Sequence, residues 1–382
     1  MTPFQVEWSE QDVARVLQRV RECRLPPAMP DVGWSYGCDG DFLRDLQEYW
    51  SERFDWRAAV ANLNRFPQFQ AEIDGLSVHF VHVVGEAQGR RPLLLTHGWP
   101  GSHFEFWDVI EPLAFPTRFG GKAEDAYDLV IPSLPGFGFS GKPQQVIGQR
   151  GTAALWNRLM TEVLGYPRYR AQGGDWGALV TSWLGMDHGQ NCQAIHLNML
   201  GFRSMEAPQN DAEKAWLGQA EIAQRQFGSY AALQMMKPHS LVWATADNPL
   251  GQAAWIVERF HDWSDLRRRS FEDVFTLDQL LTNIMLYVMT GSFASAAWYY
   301  PGVVKDGFGL LPARVRCETP TAFADFPGDP LQPPPPRSRV ELRYAVSRWS
   351  SPPEGGHFAA MEAPEWLVED LRAWGREAVS PD

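Results

Sequence analysis

The chain has 382 residues, 45% hydrophobic and 21% charged, with a formal net charge of −12, which suits one large α/β domain with additions and leaves no basic footprint for nucleic acid or an anionic membrane. Cys23, Cys38, Cys192 and Cys317 are far apart without metal-ligand spacing, so free thiols in a reducing compartment and no metal site are expected. No apolar run reaches the roughly 18 residues of a membrane span and the N-terminus has no signal-peptide core, so the expectation is a cytoplasmic protein with no membrane partner.

Residues 1–75 read as a helical and irregular lead-in, an N-terminal meander. Ser9 with Asp12 resembles a capping box, and Val13, Val16, Leu17 and Val20 recur at helical spacing. Further helices are expected over 41–50 and 56–64. Strand signals then start: 76–84 alternates and is β-branched, 92–96 and 128–133 are continuous apolar runs, and 169–172 and 194–200 follow. Helix-length segments at 151–165 and 176–186 lie between them. Strands alternating with helices predict a mostly parallel, doubly wound sheet, its first part over 76–200. From 201 to 311 the pattern turns helix-rich, with Trp, Tyr and Met, and reads as a lid inserted into the domain. The second part of the core, 312–382, brings strands at 321–326 and 342–349 around the loop Pro333–Pro336. A closing helix starts near Pro364 with Leu367, Leu371 and Trp374 on one face.

One corner carries chemistry. Gly173-x-Asp175-x-Gly177, after a strand and before a helix, has the layout of the nucleophile elbow of an α/β-hydrolase, with Asp where esterases place Ser. A carboxylate can displace a leaving group at saturated carbon and leave an alkyl ester, which water then cleaves at its carbonyl. The residue type therefore points to epoxides or alkyl halides; the bland alternative is an Asp that only caps the helix. His357, in Gly355-Gly-His-Phe after the last strand, is the candidate base, since imidazole titrates near neutrality. The acid that orients it should follow the penultimate strand, where Phe326-Pro-Gly-Asp offers Asp329; Asp325 and Glu341 are less well placed. In this fold the loop after the strand 92–96 and the residue after the nucleophile supply oxyanion-hole amides, here Trp99 and Trp176. His97 reads as a turn-fixing residue and Phe137, in Pro135–Ser140, as part of a pocket-lining loop. A departing alkoxide also needs an acid, and a lid phenol suits that role. Tyr230, Tyr287, Tyr299 and Tyr300 are available, and spacing does not choose among them.

Taken together, Asn64-Arg-Phe-Pro-Gln-Phe69, His97-Gly-Trp-Pro-Gly101, Ile131-Pro-Ser-Leu-Pro-Gly-Phe-Gly138, Gly173-Gly-Asp-Trp-Gly177 and Gly355-Gly-His-Phe-Ala-Ala360 resemble the microsomal-type epoxide hydrolases, which carry a meander before an α/β-hydrolase domain. The resemblance spans nearly the whole chain. It implies that the two phenols are Tyr230, ahead of Lys237-Pro238, and Tyr299, in Trp298-Tyr299; Tyr300 is the reserve and a candidate substrate contact beside Trp99, Trp176 and Phe137. In the family the relay acid is often Glu, so Asp329 is one methylene shorter. Some members carry a membrane anchor, whereas this chain starts at the meander. Its likeness is to soluble bacterial members, some of which tailor antibiotic intermediates such as enediyne building blocks. The resulting expectation is conversion of an epoxide, aryl or bulky and apolar, to a vicinal diol with no cofactor. The substrate and the choice between detoxification and biosynthesis stay open, as does oligomeric state, a homodimer included. The competing readings are a haloalkane dehalogenase and a catalytically silent ligand-binding scaffold.

Overall fold

The computed structural model describes residues 1–87, 89 and 91–377; residues 378–382, at the end of the expected second core segment, lie outside them. Among the described residues nine strands form one sheet: β1 (Thr2–Phe4), β2 (Gln68–Ile73), β3 (Leu76–Val83), β4 (Pro92–Thr96), β5 (Asp128–Pro132), β6 (Tyr169–Gly173), β7 (Cys192–Leu197), β8 (Cys317–Ala324) and β9 (Tyr344–Ser350). Their order is β1-β2-β3-β5-β4-β6-β7-β8-β9. From β5 to β9 all neighbours run parallel, while β1, β2 and β3 extend the sheet antiparallel. The fold is that of an α/β-hydrolase.

The physical reason for the central strands is plain. All five residues of β4 and of β5 are buried, as a parallel strand covered on both faces requires. Helices Trp107–Ala114 and Pro364–Glu377 pack together, as do Gln149–Arg158 and Asp175–Asp187, giving the sheet its covering layers. Between β4 and β6 the strand order reverses direction, and the loops after these two strands part there. Such a switch point, at the carboxyl ends of the strands, is where open α/β sheets place their sites.

The lead-in differs from its sequence expectation. Besides its helices Glu10–Glu22, Gly40–Glu52 and Trp56–Leu63, it contributes β1 and β2 to the sheet. Gln68-Phe-Gln-Ala-Glu-Ile73 alternates at period two, and pairing with β3 supplies backbone partners that a single segment cannot supply for itself. Glu341 likewise does not open a strand: it ends the short helix Arg337–Glu341 and pairs with Arg337, and β9 begins three residues later. Between β7 and β8 the chain is helical, from Asp211–Phe227 to Tyr299–Lys305, apart from one parallel bridge between Arg203 and Leu310. Among the described residues no single helix is long and apolar enough to cross a membrane.

The helix Asp175–Asp187 docks against β4 through Gly177, where a Cβ would overlap the Thr96 carbonyl. That backbone cannot yield, because β4 is bonded on both sides. Gly177→Ala is expected to cost about 3 kcal/mol or more through overpacking and to remove activity. Denaturant unfolding together with turnover would check it; a stable, active alanine variant would contradict the docking described.

Candidate active site

β6 ends at Gly173, Gly174 is extended, and Asp175 adopts φ +47° before the helix proceeds. For a residue with a Cβ this left-handed corner costs about 1–2 kcal/mol. The corner lifts the carboxylate out of the sheet into the crevice beside the β4 loop. There the Trp99 amide donates to Asp175 Oδ1 at 2.8 Å. Gly98 allows the approach, since any Cβ there would overlap the Asp175 side chain. The Trp176 amide belongs to the first turn of the helix, where N–H groups lack intrahelical acceptors and the dipole favours negative charge.

His357 faces the other oxygen. Its Nε2 lies 3.2 Å from Asp175 Oδ2, and its Nδ1 lies 2.8 Å from Asp329 Oδ2. Asp329 is locked in turn, its Oδ1 accepting from the Leu331 and Gln332 amides at 2.9 Å each. The shorter acid thus reaches His357 by curling its own loop. Asp325 does not take part: its amide caps onto Ser350, its Oδ1 has no partner, and burial pushes its pKa up to about 6. Burial opposes charge on His357, but Asp329 and Asp175 beside it win, and its pKa stands well above the ordinary value.

The phenols divide otherwise than expected. The Tyr299 hydroxyl donates to Thr152 Oγ1 at 2.8 Å and is occupied there. Its ring packs on Phe137 and Trp176, and it borders an apolar cavity of about 330 Å³ with Pro135, Val146 and Trp298. Tyr300 instead faces the crevice, its ring edge-on to Trp176 at 4.7 Å and to Trp99 at 5.7 Å. Its hydroxyl makes no hydrogen bond of ordinary geometry, yet it and the Tyr230 phenol are near enough to perturb each other's ionisation. Tyr230 stacks on Trp99 at 5.3 Å. Burial, and after it the charge on Asp175, hold Tyr230 in its neutral, donating form. The doublet Tyr299-Tyr300 leaves the register open in sequence, and the first turn of the helix Tyr299–Lys305 turns consecutive side chains about 100° apart, so that Tyr300 and not Tyr299 meets Trp99.

Phe137 packs behind the crevice, against His97, Tyr287 and Tyr299. His97 fixes the turn: its Nδ1 pairs with the Gly98 carbonyl at 2.9 Å and its Nε2 accepts from the Leu134 amide at 3.1 Å. Burial lowers its pKa to about 4, so it stays neutral.

Several supports carried no signal in the sequence. From the helix Leu277–Thr290, Asn283 donates to the Pro100 carbonyl at 2.8 Å and Tyr287 to the Gly101 carbonyl at 2.6 Å, clamping the loop that carries the Trp99 amide. The His357 amide donates to the Trp263 carbonyl. Glu362 accepts from the Phe358 and Asp265 amides at 2.7 Å each, and its burial raises its pKa to about 7.

The fold and this crevice define an α/β-hydrolase with a carboxylate at the elbow. The first 106 residues match the model of the epoxide hydrolase N terminus, and residues 91–245 match that of the α/β-hydrolase fold. Epoxide hydrolase 1 of Oryctolagus cuniculus is 34% identical, the alignment covering 97% of this chain and 87% of that protein. The solved epoxide hydrolase of Aspergillus niger superposes with a TM-score of 0.85 at 29% identity, covering 99% of this chain and 96% of that one. The juvenile hormone epoxide hydrolase of Bombyx mori gives 0.86 at 26% identity, covering 99% and 95%. The chain belongs to the microsomal-type epoxide hydrolase family, and it is an epoxide hydrolase acting on a small-molecule epoxide.

Two of the groups that raise the His357 pKa are Asp329 and Asp175, so Asp175→Asn, which keeps shape and removes charge, is expected to lower it. NMR titration of the imidazole would check the sign; an unchanged or higher pKa would contradict the coupling.

Proposed function

We propose that this enzyme opens its epoxide in two steps through an ester on Asp175. Asp175 Oδ2 attacks an epoxide carbon, the ring C–O bond breaks, and the oxygen takes a hydrogen bond and then a proton from the Tyr230–Tyr300 pair. The observation that carries this reading is the division of labour at Asp175: one oxygen receives an amide while the other faces the imidazole. Oδ1, held by Trp99, becomes the ester carbonyl oxygen, already where negative charge develops in the second step.

Forming the ester removes the charge on Asp175 and with it part of what keeps His357 protonated. The imidazolium gives up its proton to the phenolate left by ring opening, and the neutral imidazole is then a base. It takes a proton from water as hydroxide adds to the ester carbon. The Trp99 and Trp176 amides stabilise the tetrahedral oxyanion, the bond from the carbonyl carbon to the alkoxy oxygen breaks as that oxygen takes the imidazolium proton, and the proton left on the Asp175 carboxyl returns to His357 as the diol leaves. Asp329 holds the imidazole in the required tautomer. On this reading residues 201–311 act as a lid that supplies phenols and excludes water. The Trp99, Trp176, Trp263, Tyr230 and Tyr300 rings, with the apolar cavity beyond Tyr299, favour an aryl or bulky apolar substituent. A cytoplasmic setting and a homodimer are compatible with the composition.

The test uses styrene oxide. His357→Ala should accumulate a covalent adduct on Asp175, visible by intact mass, and Asp175→Asn should form none. Tyr230→Phe and Tyr300→Phe should each lower kcat/KM by about a hundredfold. Tyr299→Phe, which loses only the Thr152 bond, should stay within about threefold of wild type. A large loss confined to Tyr299→Phe would return the second acid to that residue.

A further inference from the structure

A phenol that gives up its proton inside a buried crevice becomes an anion that water does not solvate, so a protein that uses one must favour the charged form in another way. Tyr230 and Tyr300 are like groups in unlike surroundings. Tyr230 lies in the helix Ser229–Met236, and its ring meets two residues of the helix Pro249–Trp263. Trp263 packs on it at 4.9 Å, and Arg259 lies over it with Cζ 5.3 Å from the ring centroid.

Arg259 is buried, and its surroundings fix it there. Its guanidinium also lies over the Trp255 ring at 4.1 Å, donates to the Trp255 carbonyl at 3.3 Å and pairs with Glu258. Trp255, Arg259 and Trp263 are four residues apart and share one face of their helix. Trp255 in turn donates to Gln234, one turn beyond Tyr230, at 2.9 Å. The cation is therefore held where the two helices meet. Glu258 offsets part of its charge. The other charges around the Tyr230 phenol are Asp175 and Asp329, which oppose its ionisation, and Arg203, which is exposed and donates to Gln332. After burial, the groups that bear on the Tyr300 phenol are Tyr230, Asp175 and Tyr287, all of them acids. A cation over a ring is attracted by its π face, and more strongly once phenolate charge spreads into that ring.

We propose that Arg259 is a positioning residue for ring opening, its fixed charge over the Tyr230 ring making Tyr230 the phenol of the pair that gives up its proton. As Asp175 Oδ2 bonds to the epoxide carbon, the ring C–O bond breaks with its electron pair on oxygen, and that oxygen takes the Tyr230 proton. Tyr300 donates a hydrogen bond and keeps its own proton. The Tyr230 phenolate stays beside Arg259 until the imidazolium proton restores it. The inference rests on the ester mechanism above and names the member of its phenol pair that ionises.

Single-turnover kinetics with styrene oxide, followed by intact mass, separate ester formation from ester hydrolysis. Arg259→Met, which keeps length and removes charge, should slow ester formation about tenfold and leave hydrolysis within about threefold of wild type. Arg259→Lys should recover most of the lost rate. Arg259→Gln should behave as Met does, and it carries the test if the Met variant fails to fold. Two further readouts would not respond to a merely structural role. Replacing Tyr230 by 3-fluorotyrosine, a more acidic phenol, should restore ester formation severalfold in Arg259→Met. Loss of Arg259 should cost nothing further in Tyr230→Phe and its full factor in Tyr300→Phe. Ester formation at the wild-type rate in Met or Gln, equal slowing of both steps, a Lys variant no better than Met, no recovery with fluorotyrosine, or a full loss persisting in Tyr230→Phe would overturn the assignment. His357→Ala run in parallel distinguishes the two failures: absence of an adduct there overturns the ester mechanism itself.

Discussion

The site depends on a carboxylate held at a left-handed corner in the notch between β4 and β6. Strain at Asp175 is tolerable because three close approaches surround it, each with a glycine where a side chain would collide. Gly177 brings the helix onto β4, Gly98 brings the Trp99 amide onto Oδ1, and Gly174 leaves room for Asn198. The covered parallel sheet makes the notch rigid, and the rigidity spares the catalytic geometry from being assembled anew in each turnover.

A second constraint is charge balance. Asp175, Asp329, Glu105 and Glu362 lie around a single buried imidazole. Four anions against one cation would be costly there, and the structure resolves the imbalance by burial. Glu105 and Glu362 are pushed towards their neutral forms while Asp329 and Asp175 hold His357 charged. The arrangement is poised rather than static, because esterification of one member changes the affinity of the others for protons. The helical segment between β7 and β8 reaches the same site. Asn283, Tyr287 and Trp263 hold the loop after β4 and the loop of His357 by hydrogen bonds.

The core of this was legible in the sequence because its signals are local. An elbow is five residues, the β4 and β5 runs are apolar throughout, and His357 sits among glycines after the last strand. What was hidden depends on contacts across long sequence separation. The strands β1 and β2 acquire their character from pairing with β3, and the alternation in Gln68–Ile73 is too short to stand out alone. Where the Tyr299 and Tyr300 side chains go depends on a helical start and on Thr152, almost 150 residues away in the chain. Glu105 reads as one more charge in a turn; only the fold sets it against Gly101 in the loop after β4.

The central claim is that the diol oxygen passes through Asp175. One turnover of styrene oxide in water enriched in ¹⁸O, with enzyme in excess, tests it most directly. The account predicts that the diol leaves with an oxygen from the Asp175 carboxylate, unlabelled, and that peptide mass analysis finds the heavy atom on Asp175. Label appearing in the diol on that first turnover, with Asp175 unlabelled, would mean that water attacks the epoxide itself and would contradict the ester mechanism.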